Sequence, residues 1–507
     1  MSNILIKKKT MKPIKYLFAS ALLMGFSTAA LAQDGTAADI DAVKNLIKSK
    51  PADLSKQMNN FYKKNKKNAE NLVAFGQAFL EVQDTTNAAV AAQKALDATK
   101  SKYAPAYMLL GDIAVLGDNG GKAAQNYEMA ILNDPNLVDA YRKYATIYRK
   151  IDPEGAVAKL EELRKVRPDY PVDGLIGHIS YISQRYSTAM DAFSRIPANQ
   201  MRKSDYIEYG FCCYLAKQYE KGLEVVSAGL QKDPNDATLN RLAMYCSTET
   251  GKFDQAIGYA DAMFNKLPKD SVKLSELDYL NYGNALAGNK QFEEAVKQYQ
   301  EGLKFELEDK SGHADTYAAM SDAYKSMEDY PNAMEAYKSF LDVKKDVSAN
   351  DYAGLGTLAM RYARSLAPDE KNPELTDAQK AEQKAQQIEA FKQADQIYAD
   401  LAEKFPTVKA YALFQRGMVN SNIDEDMTQG LAKPYFEEVI GILTQEEELD
   451  AQGKRYLETS YRYLMSYSYQ VMKDNKAAIE YAQKILEIKP DDEGIKQVVE
   501  TLSKSLK

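Results

Sequence analysis

A segment of 34 residues, 104–137, sets the pattern for most of this chain. Tyr107, Gly111 and Ala114 are spaced so that they share one face of a helix. The stretch 117–121 then holds three glycines, which end the helix because glycine loses the most backbone entropy on ordering. The segment therefore begins with one short helix and a turn.

A second helix follows the turn. Ala123, Tyr127 and Ala130 repeat the spacing of the first helix. Pro135 ends the second helix, because proline lacks an amide donor and disfavours the helical conformation of the residue before it. We expect Gly111 to face the small alanines of the second helix, so that the two backbones pack closely. Such a pair cannot bury both of its faces alone and needs copies on either side.

Copies of this pattern follow one another along the chain. We call the position of Ala123 the small position and the position of Gly111 the glycine position. The small position is occupied by Ala88, Ala123, Ala156, Ala189, Gly222, Ala256, Ala295 and Ala333. The glycine position is occupied by Gly76, Gly111, Ala145, Gly177, Gly210, Met244, Gly283, Ser321 and Gly356. Closing prolines are found at Pro135, Pro168, Pro234, Pro268, Pro406 and Pro490.

This period of about 34 residues, with aromatic, small and proline positions in this order, resembles the tetratricopeptide repeat (TPR) family. The resemblance extends from about Ala69 to Asp492. Tyrosine takes the usual aromatic place, and the chain contains no tryptophan. The resemblance implies an all-α fold: an α-solenoid, forming a right-handed superhelix, of about ten helix-turn-helix repeats with N- and C-terminal capping helices.

The repeat phase also predicts the organisation of the chain. We expect an N-terminal helical cap over 33–68 and a TPR array over 69–366. The phase is then interrupted by a charged insertion over 367–393, where a polar helix is expected to start near Thr376. Further repeats over 394–492, the last of which starts at Thr459, and a capping helix over 493–507 complete the prediction.

The first 32 residues have the character of a cleaved signal peptide. Lys12 and Lys15 precede an apolar run from Tyr16 to Ala30, which ends in Ala-Leu-Ala. The run is shorter than the roughly 20 residues that a membrane span needs, so a membrane anchor is the less favoured alternative. The sequence predicts an exported protein that begins at Gln33, in a bacterial periplasm or associated with an outer membrane. The true start could be Met1 or Met11.

The charge balance disfavours nucleic acid as a partner. The formal net charge is −7. Five lysines and no acids lie in the first 32 residues, so the chain without them would carry −7 − 5 = −12. Phosphate binding needs clustered cations, which an acidic repeat protein lacks.

The sequence offers little catalytic chemistry. Its two histidines, His178 and His313, are far apart in sequence, and no cysteine–histidine cluster has zinc spacing. We therefore predict no enzyme, no cofactor and no metal site. Cys212 and Cys246 lie in equivalent places of adjacent repeats, so two interpretations are open: a disulfide, or small residues of the core.

The resemblance also implies a binding surface, because the first helices of TPR proteins line a groove that takes a peptide or helix. Ile182, Leu215 and Lys150 belong to it when the family pattern is carried over. The principal groove residues predicted in this way are Arg142, Arg149, Tyr181, Ile207, Phe211, Tyr214, Arg241 and Tyr245. An alternative is that several of these side chains pack between repeats.

The function predicted from the sequence is a non-enzymatic protein- or peptide-binding scaffold or adaptor of the bacterial cell envelope. An alternative is a glycan- or nutrient-binding component associated with the outer membrane, since some such binders use similar helical repeats. That alternative would favour a lipidated cysteine at the mature terminus and surface tryptophans, and the sequence has neither.

Overall fold

The structure, a computed structural model, describes residues 34–268, 270, 272–369, 371–372 and 374–505. It is 76% helical, with 25 α-helices and no strand in the described residues. The predicted signal peptide, residues 1–32, lies outside this range. No described helix combines the length and the apolar character that crossing a bilayer requires.

The chain forms two compact units, one ending at Leu242 and one starting at Ala243. The helices that begin in unit 1 are α1 Asp34–Ser49, α2 Leu54–Lys64, α3 Ala69–Glu81, α4 Thr85–Ala98, α5 Ala104–Leu116, α6 Gly120–Asn133, α7 Val138–Tyr148, α8 Pro153–Val166, α9 Asp173–Ile182, α10 Tyr186–Ser194, α11 Lys203–Leu215, α12 Tyr219–Lys232 and α13 Ala237–Glu249. Those of unit 2 are α14 Phe253–Asp261, α15 Glu276–Gly288, α16 Phe292–Gly302, α17 Ala314–Ser326, α18 Tyr330–Val343, α19 Ala349–Ser365, α20 Asp377–Lys404, α21 Lys409–Ile423, α22 Lys433–Leu443, α23 Ala451–Gln470, α24 Asn475–Ile488 and α25 Glu493–Ser505.

Consecutive helices pack against each other in pairs, each made of the first and the second helix of one repeat. Within unit 1 these pairs run from α3–α4 to α11–α12, and within unit 2 from α15–α16 to α23–α24. The alanines of the small position are fully buried, which fits the predicted repeat phase: Ala88, Ala123, Ala156, Ala189, Ala256, Ala295 and Ala333. The prediction of an all-α repeat solenoid is confirmed.

The glycine position makes room for an aromatic ring. A Cβ atom at Gly111 would lie 2.3 Å from Cε1 of Tyr127 in the second helix, and Gly283 has the same relation to Tyr299 at 2.3 Å. The expectation that Gly111 faces alanines is therefore wrong. The rings are themselves anchored, because the hydroxyl group of Tyr127 donates to Asp112 Oδ1 at 2.8 Å.

Most of the turns between first and second helices share one backbone conformation. Seven residues after the glycine position, the backbone adopts a positive φ of 54–70° in eight repeats. The next residue is the N-cap of the second helix, and in some repeats its side-chain oxygen accepts a backbone N–H, as that of Asp84, Asn119 or Asp329 does. In the last repeat, Ser466 takes the glycine position. The residues with positive φ in these turns are Gln83, Asp118, Gln184, Lys217, Gly251, Lys290, Glu328 and Lys473.

The charged insertion is mostly a helical extension. Helix α20 starts at Asp377, after a capping box formed by Thr376 and Gln379, and continues without a break to Lys404. Its N-terminal part is tied to the turn between α21 and α22 by an ion pair of 2.6 Å between Lys384 Nζ and Glu425 Oε1.

Candidate functional site

Two aromatic side chains of the predicted groove lie together in unit 1. Tyr181 of α9 and Phe211 of α11 stack with ring centroids 6.5 Å apart and an interplanar angle of 26°. Both rings are half-buried. Burial, together with the nearby Glu208 carboxylate, raises the pKa of Tyr181, so its ring stays neutral. The pair presents a continuous aromatic surface across two neighbouring first helices.

Further apolar groups surround this pair on the same helices. Ile207 and Tyr214 are half-buried on α11, and the Tyr214 ring lies 5.7 Å from that of Tyr219 in α12. At the ends of the two first helices, Ile182 is 37% and Leu215 is 40% exposed. The structure thus groups four of the predicted groove residues, Tyr181, Ile207, Phe211 and Tyr214, on α9 and α11.

A polar pair lies one turn before the aromatic pair. His178 Nδ1 and Glu208 Oε1 are 2.8 Å apart, and these residues precede Tyr181 and Phe211 by three positions each. From the sequence, His178 was noted only as one of two histidines that are far apart, and Glu208 was given no role. Because the pair connects α9 with α11, it holds in register the two helices that carry the stacked rings.

Cationic side chains lie on α7, the first helix of the preceding repeat, and directly after it. Arg142 is exposed and forms an ion pair of 3.0 Å with Asp139, which is also exposed. Exposed ion pairs of this kind contribute little to stability, so the guanidinium can change partners at small cost. Arg149, the C-cap residue of α7, is half-buried, and Lys150, which follows it, is exposed. Arg241, on α13, is also half-buried.

Tyr245 departs from the sequence prediction. Its side chain is only 4% exposed, and its hydroxyl donates to Asp278 Oδ1 at 2.8 Å within unit 2. The structure therefore places Tyr245 in the core of its own unit rather than on a ligand-facing surface. The reason is that Asp278, 33 residues later in the sequence, provides a buried acceptor for the hydroxyl.

The structure reveals a row of exposed apolar side chains that the sequence analysis recognised only in part. Each repeat of unit 1 has one such side chain five or six residues after its glycine position. We call this set the apolar ladder; its members and exposed fractions are Val82 44%, Leu116 41%, Ile151 71%, Ile182 37% and Leu215 40%.

The corresponding positions of unit 2 are mostly different. Five residues after the glycine position, its first repeats have Glu249, Gly288 and Ser326. Six residues after it they have Thr250, Asn289 and Met327, which are half-buried. In its last repeat, Met472 lies six residues after that position and is 57% exposed. The ladder is therefore a property of unit 1 rather than a requirement of the repeat fold. Its regular spacing in sequence is the signal that could have revealed it.

A second feature, a cleft in unit 2, was missed by sequence reasoning. Helix α23 begins at Ala451, eight residues before the repeat that was predicted to start at Thr459. Its first two turns and α21 enclose a cleft of about 470 Å³. The residues that line it are Tyr411, Phe414, Gln415, Ala451, Gln452, Arg455 and Tyr456. The apolar pair Tyr456 and Leu457, repeated as Tyr463 and Leu464, was the signal for a longer helix.

The neighbouring cysteines on α11 are buried thiols. Cys212 and Cys213 are free and fully buried, which agrees with the interpretation as small core residues. Burial raises the pKa of Cys212 to about 12 and that of Cys213 to about 11. Both remain protonated and poorly nucleophilic at neutral pH.

Comparison with known proteins agrees with this architecture. A tetratricopeptide repeat family model matches residues 314–347, which include α17 and α18, and residues 459–492, which include most of α23 and all of α24. The chain therefore contains tetratricopeptide repeats. Repeats of this class generally mediate interactions between proteins, through extended surfaces made by successive repeats. No curated protein matches the chain significantly in sequence.

Several solved structures are similar in part. One is the C-terminal part of a TPR repeat-containing protein from Cytophaga hutchinsonii, at 19% identity and a TM-score of 0.43, over 58% of this chain and 99% of that chain. Another is a complex of Naa15/Naa10 bound to HypK-THB, at 12% identity and a TM-score of 0.35, over 93% of this chain and 78% of that chain.

Proposed function

We propose that this chain is a non-enzymatic scaffold or adaptor, which binds a protein or peptide along the first helices of unit 1. The observation that carries the proposal is the apolar ladder, which ends beside the stacked rings of Tyr181 and Phe211. Single exposed apolar residues are common on protein surfaces, but a row in register over five repeats is typical of an interaction surface.

The distance between successive repeats determines which partner segments can match the ladder. Neighbouring packed helices are about 8–10 Å apart. An extended strand, at about 3.3 Å per residue, places every third side chain at about that spacing. A helix, at about 1.5 Å per residue, does so with every seventh side chain. A partner segment with apolar residues at either period would match successive members of the ladder.

The charges beside the ladder favour an acidic partner. Arg142 lies on α7, and Arg149 and Lys150 directly follow the end of this helix, before Ile151 of the ladder, in a chain whose formal net charge is −7. Carboxylates of a bound segment would form charge-assisted hydrogen bonds with the guanidinium groups. Association should therefore weaken as the salt concentration rises.

Site-specific photocrosslinking in the native cell tests this proposal. A benzophenone amino acid replaces Leu215 in the ladder or, as the control, Leu132, which is 69% exposed on the second helix α6. We expect a crosslinked protein from position 215 and none from position 132. Equal products from both positions, or none from either, would contradict the assignment of the ladder as the binding surface.

We further propose that the chain acts after export, in a bacterial cell envelope. The order of lysines, an apolar run and Ala-Leu-Ala in residues 1–32 supports this proposal. N-terminal sequencing of protein from the envelope fraction should start at Gln33. An intact Met1 or Met11 in that fraction would overturn it.

A further inference from the structure

The cleft between α21 and α23 is a second candidate site, separate in residues from the apolar ladder. Its floor consists of Phe414 and Tyr456, whose rings stack with centroids 4.2 Å apart and an interplanar angle of 24°. These rings are 5% and 8% exposed. Tyr411, which is half-buried, lies beside them at 6.4 Å from Tyr456. Because the floor rings are packed, the cleft is formed without a ligand.

The polar groups at the cleft include two amides and one guanidinium. Gln415 and Gln452 supply amide groups, and Gln452 Nε2 donates to the hydroxyl of Tyr456. Arg455 supplies a guanidinium with five N–H donors. Its side chain is exposed and forms no ion pair with any residue that the structure describes. The cleft therefore offers an arginine that can bind an anion.

Acidic residues near the cleft form no ion pair with this arginine among the residues that the structure describes. Asp450 accepts the backbone N–H of Gly453 with its Oδ1 atom at 2.6 Å, as the N-cap of α23. Glu446, Glu447 and Glu448 are exposed in the preceding loop. Their negative field should weaken anion binding without blocking it, because exposed charges are screened by salt.

We propose that this cleft binds an aromatic carboxylate. The carboxylate would pair with the Arg455 guanidinium, where two parallel hydrogen bonds are possible. The aromatic group would contact the ring surface of Tyr411 at the aromatic floor. A volume of about 470 Å³ is in the range of small-molecule sites. A free aromatic acid and the C-terminal aromatic residue of a peptide share this chemistry.

Ligand-observed saturation-transfer NMR tests the proposal with 3-phenylpropionate and its amide. We expect the acid to bind the full chain with a Kd of roughly millimolar order, as befits so small a ligand. The amide should bind at least tenfold more weakly. Equal binding of the acid and the amide would overturn the proposal.

Two variants test which cation binds the carboxylate. Arg455→Gln should weaken acid binding at least tenfold, whereas Lys454→Gln, which removes the exposed neighbouring cation, should leave it unchanged. Both residues are exposed, so circular dichroism should show an unchanged fold. Equal binding by the two variants would overturn the role of Arg455.

A third probe, the peptide Gly-Gly-Ser-Gly-Gly-Phe, distinguishes a free aromatic acid from the C-terminal aromatic residue of a peptide. Tighter binding than 3-phenylpropionate would assign a chain terminus as the ligand, and equal or weaker binding would assign the free acid. Because these variants leave the ladder intact, a failure here is distinct from a failure of the proposed function.

Discussion

The ring of Tyr127 lies against the backbone of Gly111, so closely that a Cβ atom on the glycine would come within 2.3 Å of Cε1. The ring is 1% exposed, and its hydroxyl is held by Asp112. The two helices of this repeat can therefore approach only because position 111 has no side chain. The same relation links Gly177 with Phe193 and Gly417 with Phe436, where the closest ring atoms lie at 2.6 Å.

This relation predicts that Gly111→Ala destabilises the protein by about 1–3 kcal/mol, since the ring is packed and can move little. The matched control is Gly258→Ala, also within a helix, where no atom lies within 4 Å of the new Cβ. That change should stabilise the protein by about 1 kcal/mol through helix propensity. Thermal and urea unfolding measure both effects, and a shift of the same sign for both variants would contradict the packing described here.

The shared turn conformation predicts a stabilising change. Lys217 has a φ of 59°, which costs an L-residue about 1–2 kcal/mol and costs glycine nothing comparable. Glycine also raises the entropy of the unfolded chain, which offsets part of this gain, and Lys217→Gly should therefore stabilise by a net amount of about 0.5–1 kcal/mol. At the neighbouring Ala216, where φ is −83°, the change to glycine should bring no gain.

The reciprocal change should be destabilising. Gly251 has a φ of 70° at the corresponding turn position, and nothing lies within 4 Å of the place where its Cβ would be. Gly251→Ala should therefore cost about 1 kcal/mol through backbone strain alone. Chemical denaturation of the two variants, Lys217→Gly and Gly251→Ala, measures the change in the free energy of unfolding, which should rise in the first and fall in the second. A loss of stability in the first variant would refute the role assigned to the turn.

Buried tyrosines predict unfolding at alkaline pH. Burial, with a smaller contribution from Asp84, raises the pKa of Tyr62 to about 12, against about 10 in an unfolded chain. A group with a raised pKa in the folded state contributes stability that is fully present below pH 10 and is lost as the pH rises through 12. Tyr463, whose pKa burial also raises to about 12, contributes in the same direction.

Absorbance at 295 nm and circular dichroism, followed together between pH 9 and pH 13, measure this effect. A part of the tyrosine ionisation should coincide with the loss of helix. Tyr62→Phe should be less sensitive to alkali than the parent chain over the same range, since it removes one of the titrating groups. If every tyrosine ionised near pH 10 with the helix content unchanged, the burial described here would be contradicted.

The sequence predicted the repeat phase well because that phase depends on local spacing. The alanines of the small position are buried as expected, and α20 begins after Thr376, which caps it. Contacts between helices were harder to predict. The ring over Gly111 comes from Tyr127, 16 residues later in the sequence, and spacing within one helix carries no information on which side chain of the other helix will lie there.

The candidate surface was predicted only in part for a similar reason. Tyr181 and Phe211 stack on neighbouring first helices, but Tyr245 is buried because Asp278 accepts its hydroxyl. The family pattern assigns equivalent positions of all repeats to one surface. It carries no information on the neighbouring residue that each side chain contacts. Arg455 was missed for another reason: the 34-residue repeat phase placed the start of its helix at Thr459.

The central claim is that the apolar ladder of unit 1 binds a protein. Its most direct test is the Kd for the partner that crosslinks to position 215, measured by calorimetry with three forms of the chain. The ladder variant is Ile182→Ser with Leu215→Ser. The control is Leu132→Ser with Val166→Ser, which removes two exposed apolar side chains from the second helices α6 and α8.

We expect the ladder variant to lose at least tenfold in affinity, since each truncated side chain removes about 1 kcal/mol of buried apolar contact. The control should bind like the parent chain, and all three forms should melt together. Equal Kd values for the ladder variant and the control would contradict the claim.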